Sequence, residues 1–148
     1  MAIKRITTNA EISAHLATQL ARREKVIIYN LTYVGERCVT EARTSGSYTD
    51  RTGNLRGSVG YVVIKDGQVL RSGGFAPTNG SEQGSKGITN GEQFARSLAA
   101  EFPHGIVLVV VAGMRYASYV SARGYNVLDR AELLAQKIVP QILAKITA

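Results

Sequence analysis

The chain has 148 residues, 45% hydrophobic and 20% charged, with 18 Lys and Arg against 11 Asp and Glu. That length suits one domain around a single core, and the apolar fraction excludes a disordered chain. No apolar run approaches the ~18 residues of a membrane span, no apolar stretch follows Lys4 and Arg5 as in a secretory leader, and the lone Cys38 excludes an internal disulfide framework. These features describe a compact, intracellular-type domain covering residues 1–148. The formal charge of +7 is shared almost evenly by the two sides of Ser58. A dispersed excess of this kind favours a nearby polyanion but does not make a binding site.

Residues 1–44 read as an N-terminal helical region. Thr8 or Asn9 can cap it, with Glu11 in the first turn facing the positive end of the dipole. Ile12, Leu16 and Leu20 recur every fourth residue, and after Arg22-Arg23-Glu24-Lys25 the helical spacing resumes at Val26, Ile27, Leu31, Val34, Cys38 and Ala42. Either one helix runs to about Arg43, or two are hinged near residue 23. In both cases the region is too long to lie wholly against a small sheet, so part of it requires another partner.

Thr44 to Gly53 is a polar loop. Residues 53–73 read as a β-hairpin, in which Val59, Tyr61 and Val63 alternate with Ser58, Gly60 and Val62, and Asp66-Gly67 supplies a type I′ turn. Residues 74–91 read as a flexible glycine-rich arm, either ordering against a neighbour or serving as a tolerated insertion, so that deleting 78–85 should leave the fold intact. Residues 92–103 read as a short helix with Phe94, Leu98 and Phe102 four apart, stopped by Pro103.

Residues 105–121 read as strands. The unbroken run Ile106–Ala112 predicts a strand covered on both faces, where Val109→Asp should abolish soluble expression. Residues 127–147 read as an amphipathic C-terminal helix, started by Asp129 and kinked by Pro140. The predicted fold is α+β: a small antiparallel β-sheet packed on one face by a long N-terminal helix and a C-terminal helix, with a glycine-rich insertion.

The chemistry-bearing residues do not form a recognisable reactive pattern. His15 and His104 lack a second ligand at metal spacing, and Cys38 lies on an apolar helix stripe, as a buried thiol would. There is no nucleophile elbow, phosphate loop or dinucleotide fingerprint, and Asp50, Asp66 and Asp129 fall where Asp serves turns and helix starts. The reading is a non-enzyme with no metal and no cofactor.

Two segments exceed what fold alone requires: Thr52-Gly53-Asn54-Leu55-Arg56-Gly57-Ser58 before the hairpin, and Arg115-Tyr116-Ala117-Ser118-Tyr119-Val120-Ser121-Ala122-Arg123-Gly124 after the aliphatic strand. In this order and setting they resemble the head–tail joining and tail-completion (neck) proteins of long-tailed bacteriophages. Two departures stand out: Ser121 occupies a position that is usually acidic in that family, and the 73–103 connection is longer than usual. The resemblance implies a structural protein of a phage or prophage particle, assembled in the bacterial host cytoplasm and resident in the virion. It implies a homo-oligomeric ring, often hexameric, between the tail tube and the head connector, with no catalysis. Thr52, Gly53, Leu55, Arg56, Ser58, Tyr116, Tyr119, Arg123 and Gly124 are its candidate interface or structural residues.

Physically, Gly53 suits a positive φ, and Leu55 would anchor a strand start. Arg56 would face away from Leu55, clamping a carboxylate or carbonyl of a neighbouring subunit or bridging to Glu36 or Glu41. A ring bore on a DNA path would give the dispersed charge sequence-blind phosphate contacts. The alternative function is a small intracellular peptide- or nucleic-acid-binding module whose glycine-rich arm closes over its ligand.

Overall fold

The computed structural model describes residues 2–4, 6–77 and 84–147. Helix α1 runs unbroken from Asn9 to Ser45. Thr8 Oγ1 accepts the Glu11 N–H at 3.2 Å, and Glu11 Oε2 accepts the Thr8 N–H at 2.8 Å. This reciprocal box satisfies two donors that the first turn would otherwise leave open. Arg22–Lys25 interrupts the apolar stripe but not the backbone, so of the two readings the single long helix is the one formed.

After α1 come a one-turn helix α2 (Asn54–Gly57), strands β1 (Val59–Lys65) and β2 (Gln68–Gly74), and helix α3 (Ser85–Ser97), which tightens into a 3₁₀ turn over Leu98–Glu101. Strand β3 (Ile106–Ala112), helix α4 (Ala117–Ala122) and helix α5 (Asp129–Thr147) complete the order, with Pro140 inside α5. The fold is α+β, with a three-stranded antiparallel sheet ordered β2-β1-β3. The hairpin turn follows its sequence signal: Asp66 at φ 49 and Gly67 at φ 81 form the left-handed pair of a type I′ turn.

Several expectations are corrected. Helices cover both faces of the sheet rather than one. Val34, Cys38 and Ala42 of α1 pack with Val59, Tyr61, Val63 and the apolar side of α5, while Ala95 and Ala99 pack with Val62, Ile64 and Phe75 on the opposite face. β3 is packed on both faces, Leu108 and Val110 against one cluster and Val109 and Val111 against the other, but as an edge strand it keeps most side chains half-buried, and the fully enclosed strand is β1. A run of aliphatic residues marks a strand without revealing its place in the sheet.

The predicted strand region 105–121 ends at Ala112. Ala117–Ala122 is helical, with the Val120 N–H bonded to Tyr116 O and the Arg123 N–H to Tyr119 O. Of the predicted arm 74–91, residues 85–91 form the first half of α3, and residues 78–83 lie outside the described residues. The predicted helix 92–103 thus begins at Ser85, and its α-helical part stops at Ser97. Gly84, at φ 97, starts α3 and accepts the Ile88 N–H, so deletion of 78–85 would remove the head of a packed helix. The carbonyls of Ala76 and Gly84 both lie against Gly57.

Two aromatic rings fix the layers, each held between glycines. A methyl group on Gly35 of α1 would sit 2.5 Å from the Tyr61 ring, and one on Gly73 would sit 2.6 Å from it. On the opposite face, methyl groups on Gly60 and Gly91 would meet the Phe75 ring at 2.4 and 2.8 Å. Glycine in these places lets helix and strand backbones close directly onto an aromatic face.

The Tyr61 hydroxyl donates to Glu36 Oε1 at 2.7 Å. Burial, reinforced by that bond and by the Glu36 charge, pushes the phenol up to about 12 from an ordinary value near 10. Because the native pKa is the higher one, this contribution to stability is fully present below pH ~10 and disappears as the pH rises through ~12. Ultraviolet titration of the phenolates should therefore show an ionisation near pH 12 that is absent in Tyr61→Phe, and that variant should lose about 1–2 kcal/mol at neutral pH.

The Cys38 thiol is buried and donates weakly to Ala131 O at 3.5 Å. Its burial pushes the pKa up against the opposing pull of Arg37, which leaves little reactive thiolate.

Candidate functional site

The structure brings parts of the two sequence motifs together. Leu55 (2% exposed) packs with Tyr48, Ala117 and Val127, and the half-buried Met114, Val120 and Leu128 close around them. The Thr52 side chain pulls the Tyr116 pKa down against the effect of burial. Two segments far apart in sequence therefore share one apolar floor.

Backbone chemistry explains the position of the first motif. Gly53, at φ 71, takes the left-handed conformation that begins α2, and Thr52 Oγ1 accepts the Asn54 N–H at 3.4 Å. Asp50 Oδ2 accepts the Arg56 N–H at 2.8 Å. Ser58 is fully buried, donates from Oγ to Leu55 O at 2.7 Å, and uses its carbonyl to accept the Gly113 N–H at 3.2 Å. Ser58 is thus the joint between α2, β1 and the end of β3. Asn54 Oδ1 accepts the Gly87 N–H at 3.0 Å, which ties α3 to the same segment.

Arg56 lies on a helical turn, so its predicted strand geometry does not apply. Among the described residues it forms no ion pair with Glu36 or Glu41; Glu36 is instead the acceptor for Tyr61. The Arg56 guanidinium lies 5.1 Å from the Tyr48 ring centroid, and Nη2 reaches Gly46 O at 3.4 Å. Its Nε is buried without a hydrogen-bond partner, as are the Tyr48 hydroxyl and Arg43 Nε. Arg43 bridges layers by donating from Nη2 to Ala76 O at 3.1 Å and to Val59 O at 3.4 Å. Burial lowers the Arg43 pKa and raises that of Tyr48. Burial likewise raises the Tyr116 phenol, with the Asp50 charge adding to the shift and the Thr52 side chain opposing it.

Tyr119 and Arg123 lie apart from this cluster. They form an exposed pair one turn apart on α4, with Arg123 Nη1 donating to the Tyr119 hydroxyl at 3.1 Å and the guanidinium 5.4 Å from the ring centroid. Gly124, at φ 85, ends that helix. Sequence reading missed Tyr48, Arg43 and Asn126. Asn126 fastens the α4–α5 connection to the end of α1 through Ser47 Oγ at 2.8 Å and Ser45 O at 2.9 Å. The available signal was a single aromatic, Tyr48, in an otherwise polar loop.

Beside Tyr116, an open groove of about 760 Å³ separates α3 from the segment after β3. Lys86 and Arg115 give it positive charge, Phe94, Met114 and Tyr116 give it apolar surface, and no carboxylate lines it. Among the described residues, no three His, Cys, Asp or Glu side chains gather as a metal site would require, and no helix is long and apolar enough to cross a membrane. In comparisons with known proteins, no family model, no curated protein and no solved structure matches this chain.

Proposed function

We propose that this chain is a non-enzymatic structural protein of a phage or prophage particle. It forms a homo-oligomeric ring, hexameric in the simplest case, at the head–tail connector and completes or joins the tail. The observation that carries the reading is the meeting of the two motif segments, through Leu55 with Ala117. A cluster braced by backbone bonds and opening onto half-exposed aromatics suits a surface built to hold a neighbouring protein.

The decisive experiment mixes the purified protein with tail tubes that lack their upper cap. Binding at one tube end, seen by negative-stain microscopy and removed by Leu55→Ala, is the expected result. Saturable binding to short acidic peptides or oligonucleotides without tube binding would overturn it in favour of the small peptide- or nucleic-acid-binding module. The groove carrying Lys86, Arg115, Phe94 and Tyr116 is the feature that favours this second reading. If the bore of the ring lies on the DNA path, the +7 charge supplies phosphate contacts that weaken with added salt. An acidic or neutral bore in the assembled ring would remove that element of the proposal and leave the joining role standing.

A further inference from the structure

The groove beside Tyr116 takes its shape from α3. Lys86, Asn90, Gln93, Phe94 and Ser97 recur at helical spacing and form one wall about 16 Å long, while residues 113–116, leaving β3, form the other. The walls touch at the floor, where a methyl group on Gly113 would sit 2.4 Å from Gly91 Cα. A peptide lying extended along such a wall places about five residues on it.

The groove offers three kinds of group. Lys86 and Arg115 stand exposed, one on each wall, and among the described residues neither pairs with a carboxylate. Lys86 lies in the first turn of α3, where the helix N-terminus adds partial positive charge. Phe94 and Tyr116 are 45% and 40% exposed, and Met114 adds an adaptable apolar side chain. Asn90 donates from Nδ2 to Met114 Sδ at 3.7 Å, which leaves its Oδ1 to accept, and Gln93 carries both a donor and an acceptor.

These groups discriminate between occupants. A single strand of nucleic acid would satisfy the cations and the aromatic faces, but its phosphodiester backbone has no donor for the amide oxygens. A second copy of the chain, at +7, would bring like charge against like. A peptide rich in Asp and Glu supplies carboxylates, backbone N–H groups and an apolar side chain together. We propose that the groove binds an extended acidic segment of a partner protein, with a carboxylate held by Lys86 and Arg115 and an apolar side chain against Phe94 and Met114. The assignment stands with either reading of the function, since an adjoining particle component or a free partner can carry such a segment.

The test uses the full chain and a fluorescein-labelled peptide, Asp-Glu-Phe-Asp-Leu, blocked at both ends and followed by fluorescence anisotropy. Saturable binding that weakens with added salt is expected, and the neutral peptide Asn-Gln-Phe-Asn-Leu should bind about tenfold more weakly or worse. Lys86→Glu and Arg115→Glu should each weaken binding by about tenfold with the thermal midpoint unchanged, because both side chains are exposed. Phe94→Ala should weaken binding of the charged and neutral peptides alike. An oligothymidylate of equal charge serves as competitor, and displacement of the peptide at equal or lower concentration would overturn the proposal in favour of nucleic acid. Absence of binding at millimolar peptide, or binding that survives Lys86→Glu and Arg115→Glu combined, would also overturn it. The tail-tube experiment turns on Leu55→Ala and this one on the two cations, so failure of one is distinguishable from failure of the other.

Discussion

Val62→Asp is expected to leave no stably folded protein, whereas Val109→Asp leaves a folded but weakened one. The two valines are direct partners across the β1–β3 ladder and so project from the same face of the sheet. Position in the sheet separates them. Val62 is 1% exposed on the central strand, whereas Val109 is half-buried on an edge. An aspartate at 62 forfeits about 1.5–3 kcal/mol of apolar burial and also leaves a carboxylate without water or a partner. A combined loss of roughly 5 kcal/mol or more removes most or all of the 5–15 kcal/mol typical of a domain. At 109 the carboxylate can lean outward from the edge, so a loss of about 2 kcal/mol is expected. Soluble yield and urea unfolding measure both, and equal effects would mean that β3 is as enclosed as β1.

Gly87→Ala is expected to destabilise the protein by about 2 kcal/mol, opposite in sign to what helix propensity alone dictates. In an exposed helix, alanine gains up to ~1 kcal/mol over glycine. Here the added methyl would sit 2.0 Å from Asn54 O and 2.7 Å from Asn54 C. These are backbone atoms and cannot rotate aside, so α3 must withdraw from α2, at a cost of the order of 1–3 kcal/mol or more for overpacking. The Gly87 N–H to Asn54 Oδ1 bond stretches with it. The motif Thr52–Ser58 would lose its support, so denaturant midpoint and tail-tube binding should fall together. A stabilised Gly87→Ala variant would mean that the first half of α3 does not rest on that segment.

Elements specified by local chemistry were legible in the sequence. Thr8 with Glu11 marks the start of α1, Asp66-Gly67 marks the hairpin turn, and the β-branched run Ile106–Ala112 marks a strand. Those specified by contact were not. Gly87 and Gly91 read as loop residues because glycine disfavours helix. They are glycine because Asn54 O and Ser58 O lie where side chains would otherwise be. The Tyr116, Tyr119 and Val120 spacing fits a helix as well as a strand, and only six residues separate the two outcomes. At the candidate site, Leu55 was rightly expected to be buried. The surroundings of Arg56 were missed because Tyr48 and Gly46 reach it through folding of a loop with no periodic signal.

The close approach of Ala76 and Gly84 over Gly57 has a consequence for how this rim of the molecule can vary. Two points held against one residue tolerate added chain between them, since each doubling of loop length costs only about 0.6 kcal/mol. Relatives could therefore carry very different stretches between those two clamps on an unchanged sheet. The same position would accept a grafted epitope or fluorophore with little disturbance of the sheet.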